Sequence, residues 1–405
     1  MASLPTRIRQ ESPPLLLPSS SAPSSSLRLV AQAPFSTSDP APYVLHVVPL
    51  PTSSGGGYLF ASSDDTIQHF SAELRPLRVL KLSQKGITSM SRGAGEESTA
   101  VFITARDGTV TGWDTNDLSK EVFKLRSSSG AGLLCASQSS DLSCLAVGGE
   151  LHHYETTIDL WYVLRDADAK NLDPFFNLDA YPNRVPSTAI SSRNLTTLKL
   201  QHTYTEAHSD DITSLKFHPS PSLPHILLSA SVDGLLNTYD VRIPDEDDSV
   251  LSTSQVGTSL IDAGWMARIG HAEEVASGEW KGVWATTTIE TMQLWDIDDQ
   301  SLIKDLGDIR EVALQPWRSD YLISATYSPH LGGVAIFVGT QKGDAALLNL
   351  SDPRRWILEQ ILPGVGGRTL GGTGHADIVR CATMNTQTGT VATGGEDDRV
   401  CLWSV

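Results

Sequence analysis

One spacing recurs along most of this chain: an aspartate in a short turn is followed six residues later by an aromatic side chain. The clear copies are Asp64 to Phe70, Asp107 to Trp113, Asp233 to Tyr239 and Asp397 to Trp403. Weaker repeat endings at Trp161, at Trp295 and near residue 348 bring the number of units to seven. Short β-rich runs separate Gly, Asn and Asp turns, and no helical period fits, so the chain is predicted to be a β repeat array.

These units resemble WD repeats, and the resemblance implies four short strands in each, so seven units imply an all-β fold, a seven-bladed β-propeller. A single four-stranded sheet cannot bury both of its faces, so neighbouring sheets must stack and the ring must close. The last unit has room for only three strands before Val405. The missing outer strand is predicted to come from the other end of the chain, near Leu27–Ala31.

This architecture sets the expected domains. Residues 1–26 are rich in Ser and Pro and are predicted to be a disordered leader, because such residues bury little apolar surface. Residues 27–405 are predicted to form one propeller, with insertions at about 165–200 and 266–281. The acidic run Asp245–Asp248 lacks the ligand offsets of a calcium loop and is interpreted as a solvated loop.

Two units resemble WD repeats in detail. They run from Gly374-His375 to Trp403 and from Ala207-His208 to Asp240, each with a histidine start, a turn aspartate and an aromatic ending. The resemblance implies a structural hydrogen-bonded tetrad in each unit. A buried histidine needs partners for both ring nitrogens, and a carboxylate can serve one of them. The implied tetrads are His208, Ser229, Asp233 and Tyr239 in one unit, and His375, Thr393, Asp397 and Trp403 in the other.

Longer stretches are similar to the WD repeat-containing protein 89 family. The similarity centres on residues 204–219 and 231–237, continues through 308–312, 320–323 and 339–343, and ends with the last WD unit. It implies a non-enzymatic seven-bladed propeller with a leading strand near Leu27.

Several classes of function are excluded or disfavoured. The formal net charge of −17 opposes general nucleic-acid binding, which needs a basic surface. The longest apolar runs, such as Val334–Val338, are far shorter than a membrane helix. No GxSxG, Walker-type or HExxH motif occurs. The adjacent histidines His152 and His153 have no evident third ligand, and the four cysteines form no CxxC pair, so no metal site and no cofactor are predicted.

The leading functional hypothesis is a protein-interaction scaffold, a monomer outside its complexes, in the cytoplasm or nucleus. The acidic charge favours a basic protein partner. Residues beside the tetrad positions are expected to meet that partner: Arg106, Asp211, Thr213, Val232, Ile378, Arg380 and Glu396.

Two alternatives stay open. Tyr239-Asp240-Val241-Arg242 resembles the ending by which some propellers bind the adaptor of a cullin-type ubiquitin ligase, which would make the chain a substrate receptor with Arg242 at the contact. An enzyme with polar residues converging on the central channel is the third hypothesis, for which the sequence supplies no nucleophile, base or metal set.

Overall fold

The computed structural model describes residues 27–36, 40–163, 198–312, 317–329, 331–352, 355–367, 372–386 and 388–404. The predicted leader and most of the predicted insertion at 165–200 lie outside these residues. The described strands form seven four-stranded antiparallel sheets, which confirms the predicted propeller.

Each sheet is one blade, and its strands follow one another in the chain. Blade one contains β2 (Val44–Pro49), β3 (Tyr58–Ser62), β4 (Thr66–Phe70) and β5 (Pro76–Lys81); blade two contains β6 (Ile87–Arg92), β7 (Ala100–Ala105), β8 (Thr109–Asp114) and β9 (Phe123–Arg126). Blade three contains β10 (Leu133–Gln138), β11 (Cys144–Gly149), β12 (Ile158–Val163) and β13 (Leu198–Tyr204); blade four contains β14 (Ile212–Phe217), β15 (Ile226–Ser231), β16 (Leu235–Asp240) and β17 (Val250–Gln255).

The second half continues in the same way. Blade five contains β18 (Leu260–Met266), β19 (Gly282–Thr287), β20 (Thr291–Asp296) and β21 (Ser301–Asp308); blade six contains β22 (Tyr321–Ser328), β23 (Gly333–Gly339), β24 (Ala345–Asp352) and β25 (Arg355–Leu362). Blade seven contains β26 (Val379–Asn385), β27 (Thr390–Gly395), β28 (Arg399–Ser404) and β1 (Arg28–Pro34). All seven repeat endings found in the sequence lie on the third strand of their blade.

Two short helices interrupt this pattern in the part of the chain that the structure describes. Helix α1 (Glu246–Ser249) joins β16 to β17, and α2 (Ala272–Ser277) lies between β18 and β19, inside the stretch 266–281. Single 3-10 turns occur at Thr52–Ser54 and Ile309–Glu311.

The hydrophobic core is divided among the junctions between blades. One apolar cluster lies at each of the seven junctions in the described part of the chain, and each cluster draws side chains from both neighbouring blades. The second strand of a blade is covered on both faces, so β23 (Gly-Val-Ala-Ile-Phe-Val-Gly) is buried along its whole length. Continuous apolar runs are typical of strands covered on both sides. Each inner strand also contacts the inner strands of both neighbouring blades, so the seven surround a central channel.

The ring closes in blade seven. Strand β1 pairs antiparallel with β28, with Arg28 opposite Ser404 and Pro34 opposite Arg399. The amide of Leu27 donates a hydrogen bond of 2.9 Å to the carbonyl of Ile361 in blade six. The predicted closing strand is therefore confirmed, and it extends three residues beyond the expected end at Ala31.

Candidate functional site

One face of the ring carries the turns that join the second and third strands of each blade. We call it the turn face, and define it by residues 63–65, 106–108, 150–157, 232–234, 288–290, 340–344 and 396–398, together with the loops that lead from one blade to the next. Inner strands begin at this face. Both WD-type aspartates, Asp233 and Asp397, lie in its turns.

In blade seven, His375 is bonded through both ring nitrogens. Its Nδ1 lies 2.8 Å from Asp397 Oδ1, and its Nε2 lies 2.8 Å from Thr393 Oγ1. Trp403 Nε1 donates to the same Thr393 hydroxyl at 2.9 Å. Burial by itself would lower the pKa of the imidazolium, but the Cys401 sulfur and the Asp397 carboxylate raise the pKa of His375 to about 9. The tetrad members contact one another and leave neither ring nitrogen for a substrate.

Blade four has the same arrangement with a weaker ending. His208 Nδ1 lies 3.0 Å from Asp233 Oδ2, and its Nε2 lies 2.6 Å from Ser229 Oγ. The hydroxyl of Tyr239 lies 3.4 Å from Ser229 Oγ, near the limit for a hydrogen bond. Burial would raise the pKa of the Asp233 carboxyl, but the His208 contact outweighs it and the pKa is lowered.

Blade two builds a related network that the sequence analysis missed. Gln84 Nε2 donates to the carbonyl of Thr109 at 3.0 Å, and its Oε1 accepts from the Thr111 hydroxyl at 2.7 Å. Trp113 Nε1 donates to Thr111 Oγ1 at 3.0 Å. Glutamine therefore occupies the part that histidine takes in blades four and seven. Neither the residue type nor the spacing of the histidine tetrads marks Gln84, so the sequence pattern offered no signal for it.

The partner-binding candidates of blades four and seven occupy matching positions. Val232 N donates to Asp211 O, and Glu396 N donates to Ile378 O, both at 2.9 Å. The next candidates, Thr213 and Arg380, are the extra residues of β-bulges near the start of β14 and β26. These six residues form two clusters on the turn face, with blades five and six between them on one side of the ring.

The contacts of these candidates are local. Arg380 Nε donates to Glu396 Oε1 at 2.6 Å, and Arg380 is exposed. The carboxylate of Asp211 accepts from the amide of Leu151 at 2.7 Å. Arg106, in the turn of blade two, is exposed and lies 3.7 Å from Glu150 of blade three.

Arg242 lies away from this face, beyond the end of β16. Its Nε and Nη2 bond the two oxygens of Asp240 at 2.9 and 2.6 Å, and its side chain is 48% exposed. The structure therefore separates Arg242 from the other seven candidates.

The turns of the turn face are rich in carboxylates. Within the seven described turns, acidic residues far outnumber basic ones. The acidic residues are Asp64, Asp65, Asp107, Glu150, Glu155, Asp233, Glu290, Asp344, Glu396, Asp397 and Asp398, and the basic residues are Arg106 and Lys342.

The acidic run at 245–248 is more ordered than the solvated loop expected from the sequence. It forms the start of α1, and Glu246 Oε1 accepts from the amide of Ala207 at 2.8 Å. Glu246 also accepts from the amides of Thr205 and Glu206. The run thereby fastens the segment that leads into blade four.

The described residues contain no group of three or more His, Cys, Asp or Glu side chains that could hold a metal ion. Among the helices of the same residues, none has the length and apolar character needed to cross a membrane.

Comparison with known proteins finds similarity to WD-repeat proteins. Residues 198–240 and 368–404 match the family model of the WD domain, G-beta repeat. The chain is 32% identical over 207 residues to WD repeat-containing protein GTS1 of Arabidopsis thaliana, covering 49% of this chain and 48% of that protein. It is 25% identical over 214 residues to the WD repeat-containing protein 89 homolog of Dictyostelium discoideum, covering 52% of this chain and 54% of that protein. The chain thus spans about half the length of these relatives.

Three findings agree. The described strands form a closed ring of seven blades. Two WD segments match the family model, and the similar proteins are themselves WD repeat-containing proteins. The chain is a seven-bladed β-propeller with matches to the WD domain, G-beta repeat, and it is similar to WD repeat-containing proteins, among them the protein 89 homolog.

Proposed function

We propose that this chain is a non-enzymatic scaffold that binds a basic protein partner on its turn face and is a monomer outside its complexes. WD-repeat propellers generally mediate protein–protein interactions and are generally non-enzymatic. The observation that supports a basic partner is the excess of carboxylates in the turns of that face, which persists when the buried side chains of Asp233, Asp344 and Asp397 are left out. Such a surface attracts a Lys- or Arg-rich partner and speeds its association.

Two clusters are proposed as the contact points, one formed by Asp211, Thr213 and Val232 in blade four and the other by Ile378, Arg380 and Glu396 in blade seven. Arg106 in blade two is proposed as a third, separate contact. Each cluster joins a bulged inner-strand residue to a turn residue, so its backbone is fixed by hydrogen bonds. A rigid surface loses little conformational entropy when a partner binds.

The test is affinity purification of the tagged protein from its own cells at about 0.1 M and 0.5 M salt, which spans strong to weak screening. We expect basic partners whose recovery falls at the higher salt. The double variant Asp211→Asn/Glu396→Gln should reduce their recovery about fivefold, since rim charges mainly govern association.

The matched control is Asp298→Asn/Asp299→Asn, which removes two exposed carboxylates from the opposite face. Acidic partners that resist salt, or equal losses in both double variants, would contradict the proposal.

A cytoplasmic or nuclear location is part of the proposal. It is supported by the four cysteines, which are all buried free thiols, as expected in a reducing compartment. Fluorescence microscopy of the tagged chain tests it, and fluorescence confined to the secretory pathway or to an organelle other than the nucleus would refute it.

A second candidate function rests on Arg242. Its half-exposed guanidinium is oriented by Asp240 at the end of β16, where a ubiquitin ligase adaptor could reach it. The test is adaptor co-purification with Arg242→Ala.

Arg310→Ala is the control, because Arg310 pairs with Asp308 at the same distances, 2.9 and 2.6 Å, and is 44% exposed. Adaptor recovery that is lost only with Arg242→Ala supports the receptor function. Absence of the adaptor from the wild-type sample, or equal recovery with both variants, excludes it.

A further inference from the structure

The turn of blade three differs from those of the other blades. Eight residues, 150–157, separate β11 from β12, whereas three residues form the corresponding turn in five blades and five form it in blade six. The extra residues build a projection on the turn face, with Tyr154 at its tip and 98% exposed. Leu151 beside it is also exposed.

The projection has a fixed shape. His152 and Glu155 exchange both backbone hydrogen bonds, at 2.9 and 3.1 Å, so His153 and Tyr154 form a two-residue hairpin turn. The Leu151 amide is held by Asp211, and the Thr156 hydroxyl donates to the carbonyl of His208 at 2.9 Å. Blade four therefore supports the projection from the side.

The residues at the tip are poorly suited to this turn. His153 has φ 52° and Tyr154 has φ 72°, the left-handed region in both cases. A two-residue turn of this kind strongly prefers Asn-Gly, because a Cβ crowds the backbone there. Backbone strain kept at an exposed position is a starting point for a functional hypothesis. Here the strained residue is also a large aromatic side chain without packing.

The surroundings of the tip indicate the chemistry of what covers it. Glu150, Glu155, Asp210 and Asp211 lie on or beside the projection, and the nearby cation, Arg106, is paired with Glu150. An apolar tip ringed by carboxylates is complementary to an apolar cleft bordered by Lys or Arg. A rigid aromatic side chain is also an efficient anchor, since few rotatable bonds are fixed when it binds.

We propose that Tyr154, with Leu151, is an anchor that inserts into an apolar cleft of a protein partner whose rim is basic. This inference rests on the proposed scaffold function and identifies the kind of surface the partner presents. The strained turn holds the aromatic ring away from the propeller, ready for docking.

The first experiment compares Tyr154→Asn with Tyr43→Asn in the purification described above. Tyr43 is 47% exposed on the same face, so the control removes the same side chain from another blade. We expect Tyr154→Asn to deplete the basic partners at least tenfold and Tyr43→Asn to leave them unchanged. Each identified partner is then purified, and its Kd should rise by a similar factor for Tyr154→Asn.

A photo-crosslinking phenylalanine analogue at position 154 identifies the surface that is touched. Crosslinks to an apolar cleft bordered by Lys or Arg are expected. Crosslinks to an acidic surface, or to a second copy of this chain, overturn the inference.

A stability measurement tests the strain without any partner. The variant His153→Asn/Tyr154→Gly should raise the midpoint of thermal unfolding by about 2 °C, because both residues then suit the turn. A lower midpoint overturns the argument from strain.

The outcomes separate the two proposals. If Tyr154→Asn recovers the partners fully while Asp211→Asn/Glu396→Gln does not, the anchor fails and the scaffold function stands. If the wild-type chain recovers no basic partner, both fail.

Discussion

At the scale of single residues, the WD-type histidines hold a turn against neighbouring strands through hydrogen bonds. His375 joins a turn aspartate to a strand threonine, and through that threonine it reaches Trp403 on the next strand. A pair of this kind, a histidine and a carboxylate beside a hydroxyl, resembles a catalytic set on paper. In the structure the hydroxyl of Thr393 is buried and hydrogen-bonded to both His375 and Trp403. The arrangement is therefore structural: it holds the turn to the strands.

The pKa of His375 makes this arrangement dependent on pH. The folded-state pKa of about 9 lies above the ordinary 6.5, so the stabilisation is fully present below about pH 6.5 and is lost as the pH rises through 9. Burial would raise the pKa of Asp397, but its contacts with His375 outweigh that effect and the pKa is lowered. The contribution of Asp397 to folding stability is therefore lost only at acid pH.

We therefore expect the free-energy gap between wild type and His375→Gln to shrink by about 3 kcal/mol between pH 5.5 and pH 10. Urea unfolding at the two pH values measures it. A gap that is equal at both would show that folding does not change the pKa of His375, and a gap that grows towards pH 10 would show that the histidine stays uncharged in the folded protein.

At this scale, the residue types decided which hydrogen-bond networks could be predicted from the sequence. The histidine-centred tetrads could be recognised because their residues recur with a fixed spacing. Gln84 could not be found in that way, since its side-chain amide takes the place of the imidazole in the hydrogen-bond network but has different donors and acceptors.

At the scale of elements, the strands were more predictable than the connections. The aspartate-to-aromatic step located the third strand of four blades, because the turn and the buried ring are both fixed by backbone geometry, and weaker repeat endings located the other three. Helix α2 and the projection at 150–157 lie in segments whose form depends on contacts with distant residues, such as Asp211 for the projection. Spacing along the chain carries no information on such contacts.

Strand β1 is the element whose loss should matter most. Phe35 follows it and is buried against Phe70 of blade one, with ring centroids 6.4 Å apart. We expect Phe35→Ala to lower the free energy of unfolding by about 3 kcal/mol, from lost burial and the cavity left behind.

Val30→Ala is the control in the same strand, since Val30 is 60% exposed, and it should change stability by less than about 0.5 kcal/mol. Denaturant unfolding of both variants tests this. Similar small effects from both would mean that the junction of blades seven and one is not tightly packed.

At the scale of the whole molecule, stability is shared around a ring. Every blade buries apolar side chains against two neighbours, so no blade can unfold without exposing two junctions. This arrangement favours one cooperative transition over a stepwise loss of blades.

Labelling of the four cysteines during unfolding tests this cooperativity. Cys135 and Cys144 lie in blade three, and Cys381 and Cys401 lie in blade seven; all four are buried. We expect them to react with a thiol reagent at the same urea concentration, as followed by mass spectrometry of the labelled peptides. Earlier labelling of Cys381 and Cys401 would show instead that blade seven opens before the rest.

The pairing of Arg28 with Ser404 also decides how the ring responds to mechanical force. Tension applied to the segments before Arg28 and after Ser404 acts at one end of the β1–β28 ladder. It breaks the hydrogen bonds one after another, as in unzipping, whereas pulling from opposite ends of a ladder loads all bonds at once. The propeller should therefore resist heat and denaturant as a closed ring and yet open at low force when its two ends are pulled apart.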